Sequence, residues 1–449
     1  MVDFSLSESQ KQLRAGARQF AQNVLAKAPA VYNALPTQAE RFQSNIDIYR
    51  IAVKGGLIKG QIPIPLGGTA ASLLDAAIVV EEFYAVERPA AITLFGTGLG
   101  LTPLILAGSP EQHTRLLRPF LSGEGEPIAS FVHSEPNGTA NWLQKGAPGL
   151  QTTARKDGDD WIINGEKVSN FVSGLIIRAI PDSSQLWATN SSGWDDRGAD
   201  IQCVVCRLID SENDTTAPPS EAPEKRILIL IVTREDIAAN DRSAYEVLGH
   251  PELAGHRSAN GPLTKFTNLR VPNQNLLAAP GHGAQVVEQT FGSSAALVGA
   301  MAVGIMRGAF EAALAFAKED ARGGIVPIIE HQSVADLLID IKMKVEASRL
   351  LTWKALHAIE NGPGDWNARL ELALHAKIFC SENAVACVVD AMKAVGIKAY
   401  AKDMPFESLL NDAMVLPLFD GGNVGVRRRQ IEKIFENKGY EPWTATYGS

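Results

Sequence analysis

A short segment near the end of the chain combines residue types that suit proton transfer. Asp420 stands between the apolar pair Leu418-Phe419 and two glycines, and Arg427, Arg428 and Arg429 follow closely. Burial would raise the pKa of this carboxyl group, whereas a nearby arginine would lower it. Opposed effects of this kind suit a general base. The alternative is an aspartate that caps the last helix, and these residues alone leave both interpretations open.

A second polar cluster, His133-Ser-Glu-Pro-Asn-Gly-Thr-Ala140, stands at the entry to a strand-rich region. Polar side chains in such glycine-containing surroundings are candidates for ligand binding. The alternative is a plain turn held by Pro136 and Gly138. Taken alone, the residues of this cluster favour the turn over a binding site.

Three other signals do not predict a site. Gly96-x-Gly-x-Gly100 follows no convincing strand and lacks the third glycine at the right spacing for a phosphate loop. Cys203 and Cys206 lie in an apolar strand, where residues three apart point to opposite faces, and no second ligand pair accompanies them. The eight histidines show no metal-ligand spacing. We therefore expect buried structural cysteines and no metal site.

The chain that positions these candidates changes its sequence pattern twice, from helical to strand-like and back to helical. Residues 7–121 have a helical pattern that opens with a capping box, Ser7-Glu-Ser-Gln10. Residues 127–277 are strand-like, with a hairpin signal at Asp157-Gly158, a buried-strand run at Ile227–Val232 and a polar loop at 210–225. Helical texture returns from Gln285, as in 330–359 and 366–395. The order predicts an α+β protein with domains at 1–125, 126–284 and 285–449.

Composition narrows the class of protein. The chain has 449 residues, 45% hydrophobic and 20% charged, which is ordinary for a globular protein of several domains. Its net charge of −8 without charged blocks argues against nucleic acid or an anionic membrane as the main partner. Four cysteines, no secretory signal and no SKL-like ending predict a cytoplasmic rather than a secreted or peroxisomal protein. The apolar stretch 295–306 is too short to span a bilayer and predicts a buried helix.

Several segments resemble the acyl-CoA dehydrogenase superfamily of flavoproteins. Residues 131–140, FVHSEPNGTA, are similar to its TEPxxGS segment, 164–167, NGEK, to its NGxK strand end, and 266–277, FTNLRVPNQNLL, to its FxxVxVPxxNxL segment. LFDGGN, at 418–423, occupies the place of the family's glutamate-bearing EGT segment. An aspartate at that place is typical of the branch that oxidises nitroalkanes. The runs HSEPNGTANWLQKG, IIEHQSVAD and EPWTATYGS also resemble that branch.

The resemblance implies a fold, a cofactor and an activity. The fold would be an N-terminal helical domain, a middle β-barrel-like domain and a C-terminal four-helix bundle, assembled as a homotetramer whose subunits share their FAD sites. A neutral nitroalkane would lose its α-proton to Asp420, and the carbanion would attack flavin N5 with release of nitrite. Water would then add to the resulting cationic imine and release an aldehyde or ketone. O2 would reoxidise the flavin and give hydrogen peroxide.

The resemblance also assigns individual residues. Asp420 would be the base, Arg427 its electrostatic partner and Ser294 the hydroxyl that hydrogen-bonds it. The residues that would hold FAD fall into three groups. Those at the flavin ring and ribityl chain are Phe131, Val132, His133, Ser134, Thr139, Ala140, Asn141, Trp187, Ala188 and Thr189, with Leu418, Phe419, Gly421 and Gly422 beside the base. Those at the pyrophosphate end are Arg322, His331 and Gln332, and those at the adenosine end are Lys393, Ala394, Val395, Gly396 and Ile397.

Two alternatives remain at this point. An acyl-CoA dehydrogenase or oxidase would have the same fold, although its base would be the longer glutamate. A catalytically inactive member of the family could serve as a binding scaffold, although Asp420, Arg427 and Ser294 together argue against it.

One segment interrupts the resemblance. The 18 residues from Val168 to Gln185 separate the NGEK strand end from Leu186-Trp-Ala-Thr189. The first two residues can be encoded as GTN-AGY and the last as CAG, which match the two ends of an intron. We therefore predict a retained intron, with a genuine loop insertion as the alternative.

Overall fold

The computed structural model describes residues 4–136, 139–167, 188–210 and 222–448. The predicted insertion at 168–185 lies outside these residues, and so do Trp187 and most of the polar loop predicted at 210–225. The retained intron therefore stays a prediction, which sequencing of the mature transcript tests.

The first part of the chain is helical. A Ser7 hydroxyl accepts a hydrogen bond from the Gln10 backbone, and the Gln10 side chain accepts one from the Ser7 backbone, which confirms the predicted capping box. The helices are α1 (Glu8–Asn23), α2 (Ala28–Tyr32), α3 (Gln38–Gln43), α4 (Ile46–Lys54), α5 (Leu73–Tyr84), α6 (Pro89–Ala107), α7 (Pro110–Leu116) and α8 (Arg118–Leu121).

The glycines of the Gly96-x-Gly-x-Gly100 segment lie inside α6 rather than in a turn between a strand and a helix. A Cβ added to Gly96 would lie 2.7 Å from Cγ2 of Thr189, and one added to Gly100 would collide with the backbone of Ala129. Glycine is needed here because α6 packs closely against the chain that follows. The segment is therefore a packing surface that helps to place Thr189.

The middle of the chain forms an eight-stranded sheet within the described residues. Its order is β6-β7-β3-β2-β4-β5-β8, and β1 pairs in parallel with β4. The elements are β1 (Ala129–Val132), β2 (Thr153–Asp157), β3 (Asp160–Lys167), β4 (Ile201–Leu208), β5 (Ile227–Thr233), the helix α9 (Arg234–Ala238), β6 (Tyr245–Gly249), β7 (Leu263–Pro272) and β8 (Leu276–Ala278).

The strand predictions are confirmed where the structure tests them. Asp157 pairs with Asp160 across the predicted hairpin. Every residue of β5 is buried, as its continuous apolar run predicted. Cys203 and Cys206 are buried free thiols inside β4, so neither serves a disulfide.

The last part of the chain is helical again, which completes the α+β fold. The three long helices α10, α11 and α12 pack side by side, and α10 also packs on α5, so that the two helical parts are in contact. The helices are α10 (Gly283–Glu319), α11 (Gln332–Asn361), α12 (Trp366–Val395), α13 (Phe406–Val415), α14 (Arg428–Phe435) and α15 (Thr444–Tyr447).

Among the residues that the structure describes, three helical stretches are long and apolar enough to cross a membrane by length and composition: α6, α10 and Trp366–Tyr400. More than half of the apolar window in each is buried inside the protein. The apolar stretch 295–306 lies in α10, where nearly all of its residues are buried, so the prediction of a buried helix is confirmed.

Candidate active site

A cavity of about 2280 Å³ lies where the two helical parts meet the sheet. Residues of α5, α6 and α10, the end of β1 and the turn between α13 and α14 form its wall. Pockets for one drug-sized ligand measure about 300–1,000 Å³. The cavity therefore has room for a large cofactor together with a small substrate.

Asp420 lies in this wall, between two hydrogen-bond donors on different elements. The Ser294 hydroxyl, on α10, donates to Oδ1 over 2.7 Å, and Nη2 of Arg427 lies 3.2 Å from Oδ2. The Asp420 side chain is only 5% exposed, yet the residue lines the cavity. Each carboxylate oxygen has two lone pairs, so both oxygens keep one lone pair free for a substrate proton.

The environment of Asp420 perturbs its acidity in both directions. Burial raises the pKa above its usual range, while the charges of Arg427 and Lys377 and the Ser294 hydroxyl oppose that rise. The net direction is upward. A carboxylate with a raised pKa is a stronger base than a solvated one, which suits proton abstraction.

Arg427 holds the turn as well as the carboxylate. Its Nε and Nη2 donate to the backbone carbonyl of Asp420 over 2.8 and 2.5 Å, and its Nη1 donates to Gln430 over 2.9 Å. The guanidinium is 2% exposed and lies 5.8 Å from the ring centre of Phe291. Arg427 is therefore fixed in one orientation by the groups on every side of it.

The turn that carries Asp420 has an uncommon backbone conformation. Asp420 and Gly421 have φ values of 52° and 70°, both in the left-handed region, and Asn423–Arg427 forms one turn of π-helix. Such conformations cost energy in non-glycine residues and cluster at functional sites. The Asp420 side chain bonds to Ser294 and Arg427, and no side-chain cap precedes α14. The helix-cap interpretation of Asp420 is therefore wrong.

The other candidates beside the base face the same cavity. Leu418, Phe419, Gly421 and Gly422 line it, as does Ser294. The predicted base, its two partners and the residues around them thus meet at one place, although they come from α10 and from the turn before α14.

The residues predicted to meet the flavin ring divide according to strand geometry. Phe131, His133 and Ser134 line the cavity, together with Thr139, Ala140, Asn141 and Thr189. Val132 and Ala188 instead pack in the apolar core of the sheet, and neither lines the cavity. Neighbouring residues of a strand point to opposite faces, so Val132 reaches the cavity side only through its backbone.

His133 is a neutral side chain in an aromatic corner. Burial and the nearby Lys167 lower its pKa to about 3. Its ring meets Trp142 edge-on at 4.8 Å and Phe291 at 5.5 Å between ring centres. The buried Nε2 has no hydrogen-bond partner among the described residues. A bound polar heterocycle such as a flavin would supply that partner, so the corner fits the cofactor that the sequence implies.

A buried ion pair fixes the strand end that carries this corner. Nζ of Lys167 donates to Glu135 over 2.8 Å and to the backbone carbonyl of His133 over 3.0 Å, and both charged side chains are at most 2% exposed. Glu135 also accepts from the backbone of Gln151 and Thr152. The part of the polar cluster around His133 and Glu135 is therefore more than a plain turn.

The remaining predicted cofactor residues form a separate group. Nη2 of Arg322 donates to the backbone carbonyl of Ala394 over 2.6 Å and lies against Gly396. None of the residues Arg322, His331, Gln332, Lys393, Ala394, Val395, Gly396 and Ile397 lines the cavity. Arg322, His331, Gln332, Lys393 and Ile397 are exposed. One chain therefore does not bring the two ends of the predicted cofactor site together.

Several residues of the site are not among those predicted from the sequence. Phe291 and Trp142 wall the corner around His133, and Lys377 and Asn423 lie behind the Asp420 turn. The sequence does contain a signal for a buried Lys377, since this charged residue lies in a helical stretch beside the apolar residues Ala373, Leu374 and Ile378. The described residues contain no group of three or more His, Cys, Asp or Glu side chains that could hold a metal ion.

Comparison with known proteins identifies similar chains. Residues 7–124 match the family model "Acyl-CoA dehydrogenase, N-terminal domain" and residues 281–435 match "Acyl-CoA dehydrogenase, C-terminal domain". The chain is 55% identical to nitroalkane oxidase of Fusarium oxysporum over 452 residues, covering 100% of this chain and 98% of that protein. It is 52% identical to nitroalkane oxidase of Podospora anserina over 451 residues, covering 100% and 99%. An active-site aspartate-to-asparagine mutant of nitroalkane oxidase, crystallised with 1-nitrooctane, is 53% identical with a TM-score of 0.94, and the match covers 100% of both chains.

Proposed function

The chain belongs to the nitroalkane oxidases of the acyl-CoA dehydrogenase family, and we propose that it oxidises neutral nitroalkanes with Asp420 as the base that removes the α-proton. The observation that carries this proposal is the cavity-lining Asp420 carboxylate, held between the Ser294 hydroxyl and the Arg427 guanidinium.

Proton transfer to Asp420 requires an ionised carboxylate next to the substrate carbon. The hydrogen bonds from Ser294 and Arg427 fix the orientation of the carboxylate, which lines the cavity. As the proton moves, negative charge shifts from Asp420 to the nitroalkane. The fixed charge of Arg427 is already in place to stabilise that charge, so no reorganisation is needed during the reaction.

FAD is the cofactor of this family, and the chemistry that it supplies when bound is the acceptance of two electrons from the deprotonated substrate. The residues that would hold its flavin ring are the cavity-lining set around Phe131, His133 and Thr189. The products would be nitrite and an aldehyde or ketone whose oxygen comes from water. O2 would take the two electrons and leave as hydrogen peroxide.

A homotetramer with shared FAD sites is part of the proposal. What supports it is the separation of the two predicted groups of cofactor residues within one chain. Arg322, His331 and Gln332 are exposed, so they are available to the cofactor of another copy. Size-exclusion chromatography with light scattering tests the assembly, and an Arg322→Ala variant tests the sharing through its FAD content. A monomer that retains FAD would contradict this part.

The test of the activity uses the purified holoenzyme. We expect a flavin absorbance spectrum and nitrite release from nitroethane under air. Asp420→Asn should keep the flavin spectrum and lose most of the nitrite release, because the amide cannot accept the proton. Asp159→Asn, an exposed position on the hairpin between β2 and β3, is the matched control and should keep the full rate.

Two outcomes would overturn the proposal. An Asp420→Asn variant with the wild-type rate would exclude Asp420 as the base. A yellow wild-type protein that releases no nitrite from nitroethane but is bleached by acyl-CoA substrates would favour the acyl-CoA alternative.

A further inference from the structure

Lys377 is a buried lysine in the middle of α12, behind the Asp420 turn. Its side chain is fully buried, and Ala373, Leu374 and Ala376 around it on the helix are buried too. Burial of an ammonium group costs on the order of several kcal/mol unless hydrogen-bond or charge partners offset the lost hydration. The position of Lys377 therefore requires an explanation beyond helix packing.

The ammonium of Lys377 binds the turn itself. Nζ donates to the backbone carbonyl of Gly421 over 3.1 Å and to the side-chain oxygen of Asn423 over 2.8 Å. The amide nitrogen of Asn423 donates to Ser381 over 3.0 Å, which ties the turn to α12 a second time. Lys377 thus binds Gly421, the residue immediately after the base.

Two buried cations hold the two successive carbonyls of this turn. Arg427 donates to the carbonyl of Asp420, and Lys377 donates to the carbonyl of Gly421. Asp420 and Gly421 both have left-handed φ values. This conformation costs Asp420 free energy and persists only where the surroundings enforce it. The conformation fixes the direction of the Asp420 side chain, so the two cations together set where the carboxylate points.

Lys377 also places a charge near the base. Its pKa is lowered to about 7 by burial and by Arg427, while Asp420 and Glu382 oppose the lowering. Glu382 in turn pairs with the exposed Arg428, and Ser294 contributes an uncharged hydroxyl from α10. Lys377 is therefore charged at acidic pH, where Asp420 takes up its proton, and its charge favours the ionised form of Asp420.

We propose that Lys377 is a positioning residue of the base: it holds the Asp420–Gly421 turn in its left-handed conformation and, when protonated, places a positive charge behind the carboxylate. The inference rests on the proposed function, since it assigns Lys377 a part in the same proton abstraction. Lys377 does not line the cavity, so it acts through Asp420 and not on the substrate.

The test compares three substitutions in the FAD-loaded enzyme by the pH profile of kcat/KM for nitroethane. Lys377→Met removes both the charge and the donor, Lys377→Gln removes the charge but keeps an N–H donor, and Lys342→Met, at an exposed position on α11, is the control. Activity needs ionised Asp420, so loss of the charge should move the acidic limb to higher pH in both Lys377 variants. Lys377→Met should also lose about ten- to hundredfold in kcat/KM, the equivalent of one charged hydrogen bond.

The outcomes separate the two proposals. If the wild type and Lys342→Met release no nitrite, the proposed function fails. If they release nitrite and the acidic limb of Lys377→Gln stays where the wild type has it, the role of Lys377 is overturned while the function stands. Should Lys377→Met fail to fold, Lys377→Gln still decides through its acidic limb, because a structural role alone would not move that limb.

Discussion

Substitution of Gly421 by alanine tests how closely the turn controls the base. Gly421 has a φ of 70°, and a Cβ at this position would lie 2.8 Å from Nε and 2.9 Å from Cζ of Arg427. Contacts this short force the guanidinium to move. Because the same guanidinium binds both the carbonyl and the carboxylate of Asp420, its displacement should weaken the hold on the base.

The magnitude has two parts. A left-handed φ costs a residue with a Cβ about 1–2 kcal/mol, which should appear as a loss of stability. Loss of one charged hydrogen bond costs about 1.5–3 kcal/mol, and if it acts in the transition state, kcat/KM falls about ten- to hundredfold. Gly123→Ala is the matched control, since Gly123 has a φ of 74° and nothing within 4 Å of an added Cβ.

The assay measures nitrite release, flavin content and the thermal midpoint of both variants. We expect both variants to lose stability through the left-handed φ, Gly421→Ala the more of the two because its Cβ also displaces Arg427, and kcat/KM to fall only in Gly421→Ala. A Gly421→Ala variant with wild-type kcat/KM and full FAD content would refute the conclusion that the guanidinium position is set by this turn. An equal loss of activity in Gly123→Ala would show that the effect is one of stability alone.

Three further predictions concern the base, the core and the cofactor corner. Ser294→Ala removes a hydrogen bond that favours ionised Asp420, so the acidic limb of the pH profile of kcat/KM should move to higher pH; an unmoved limb would contradict this. Burial acts to raise the pKa of Glu82, but Arg307 and two further arginines outweigh burial and hold this pKa at about 2, below the usual 4.5. About 3 kcal/mol of folding stability, present above pH 4.5, should therefore be lost as the pH falls toward 2. Urea unfolding of Glu82→Gln should lack that part of the pH dependence. Lys167→Met leaves the Glu135 carboxylate buried without its cation, which should cost about 3–5 kcal/mol in urea unfolding and lower FAD content; a variant as stable as the wild type would refute the ion pair's role.

Local patterns in the sequence predicted the elements well. The capping box at Ser7, the hairpin at Asp157-Gly158 and the apolar run of β5 depend on interactions between residues close in the chain. The helical pattern seen in the sequence at 366–395 coincides with the helix Trp366–Val395. Such patterns are readable because hydrogen bonding and the side-chain period repeat within one element.

The resemblance of short motifs predicted which residues would meet at the base. Asp420, Arg427 and Ser294 do lie together, although Ser294 is 126 positions from Asp420. Burial of the carboxylate and its raised pKa follow the opposed effects argued from Leu418-Phe419 and the arginines. The catalytic roles of these residues stay predictions, which the substitutions above test.

The family, the α+β order of elements and the residue types of the site could all be predicted from the amino-acid sequence. The direction in which those residues point became apparent only in the folded chain. Val132 packs in the core of the sheet, while His133 faces the cavity. The hydrogen bond from Lys377 to the carbonyl of Gly421 joins α12 to the turn before α14, which share no local sequence pattern. Side-chain direction and burial depend on long-range packing, which fixes backbone angles such as the φ of Asp420 only once the surrounding helices are in place.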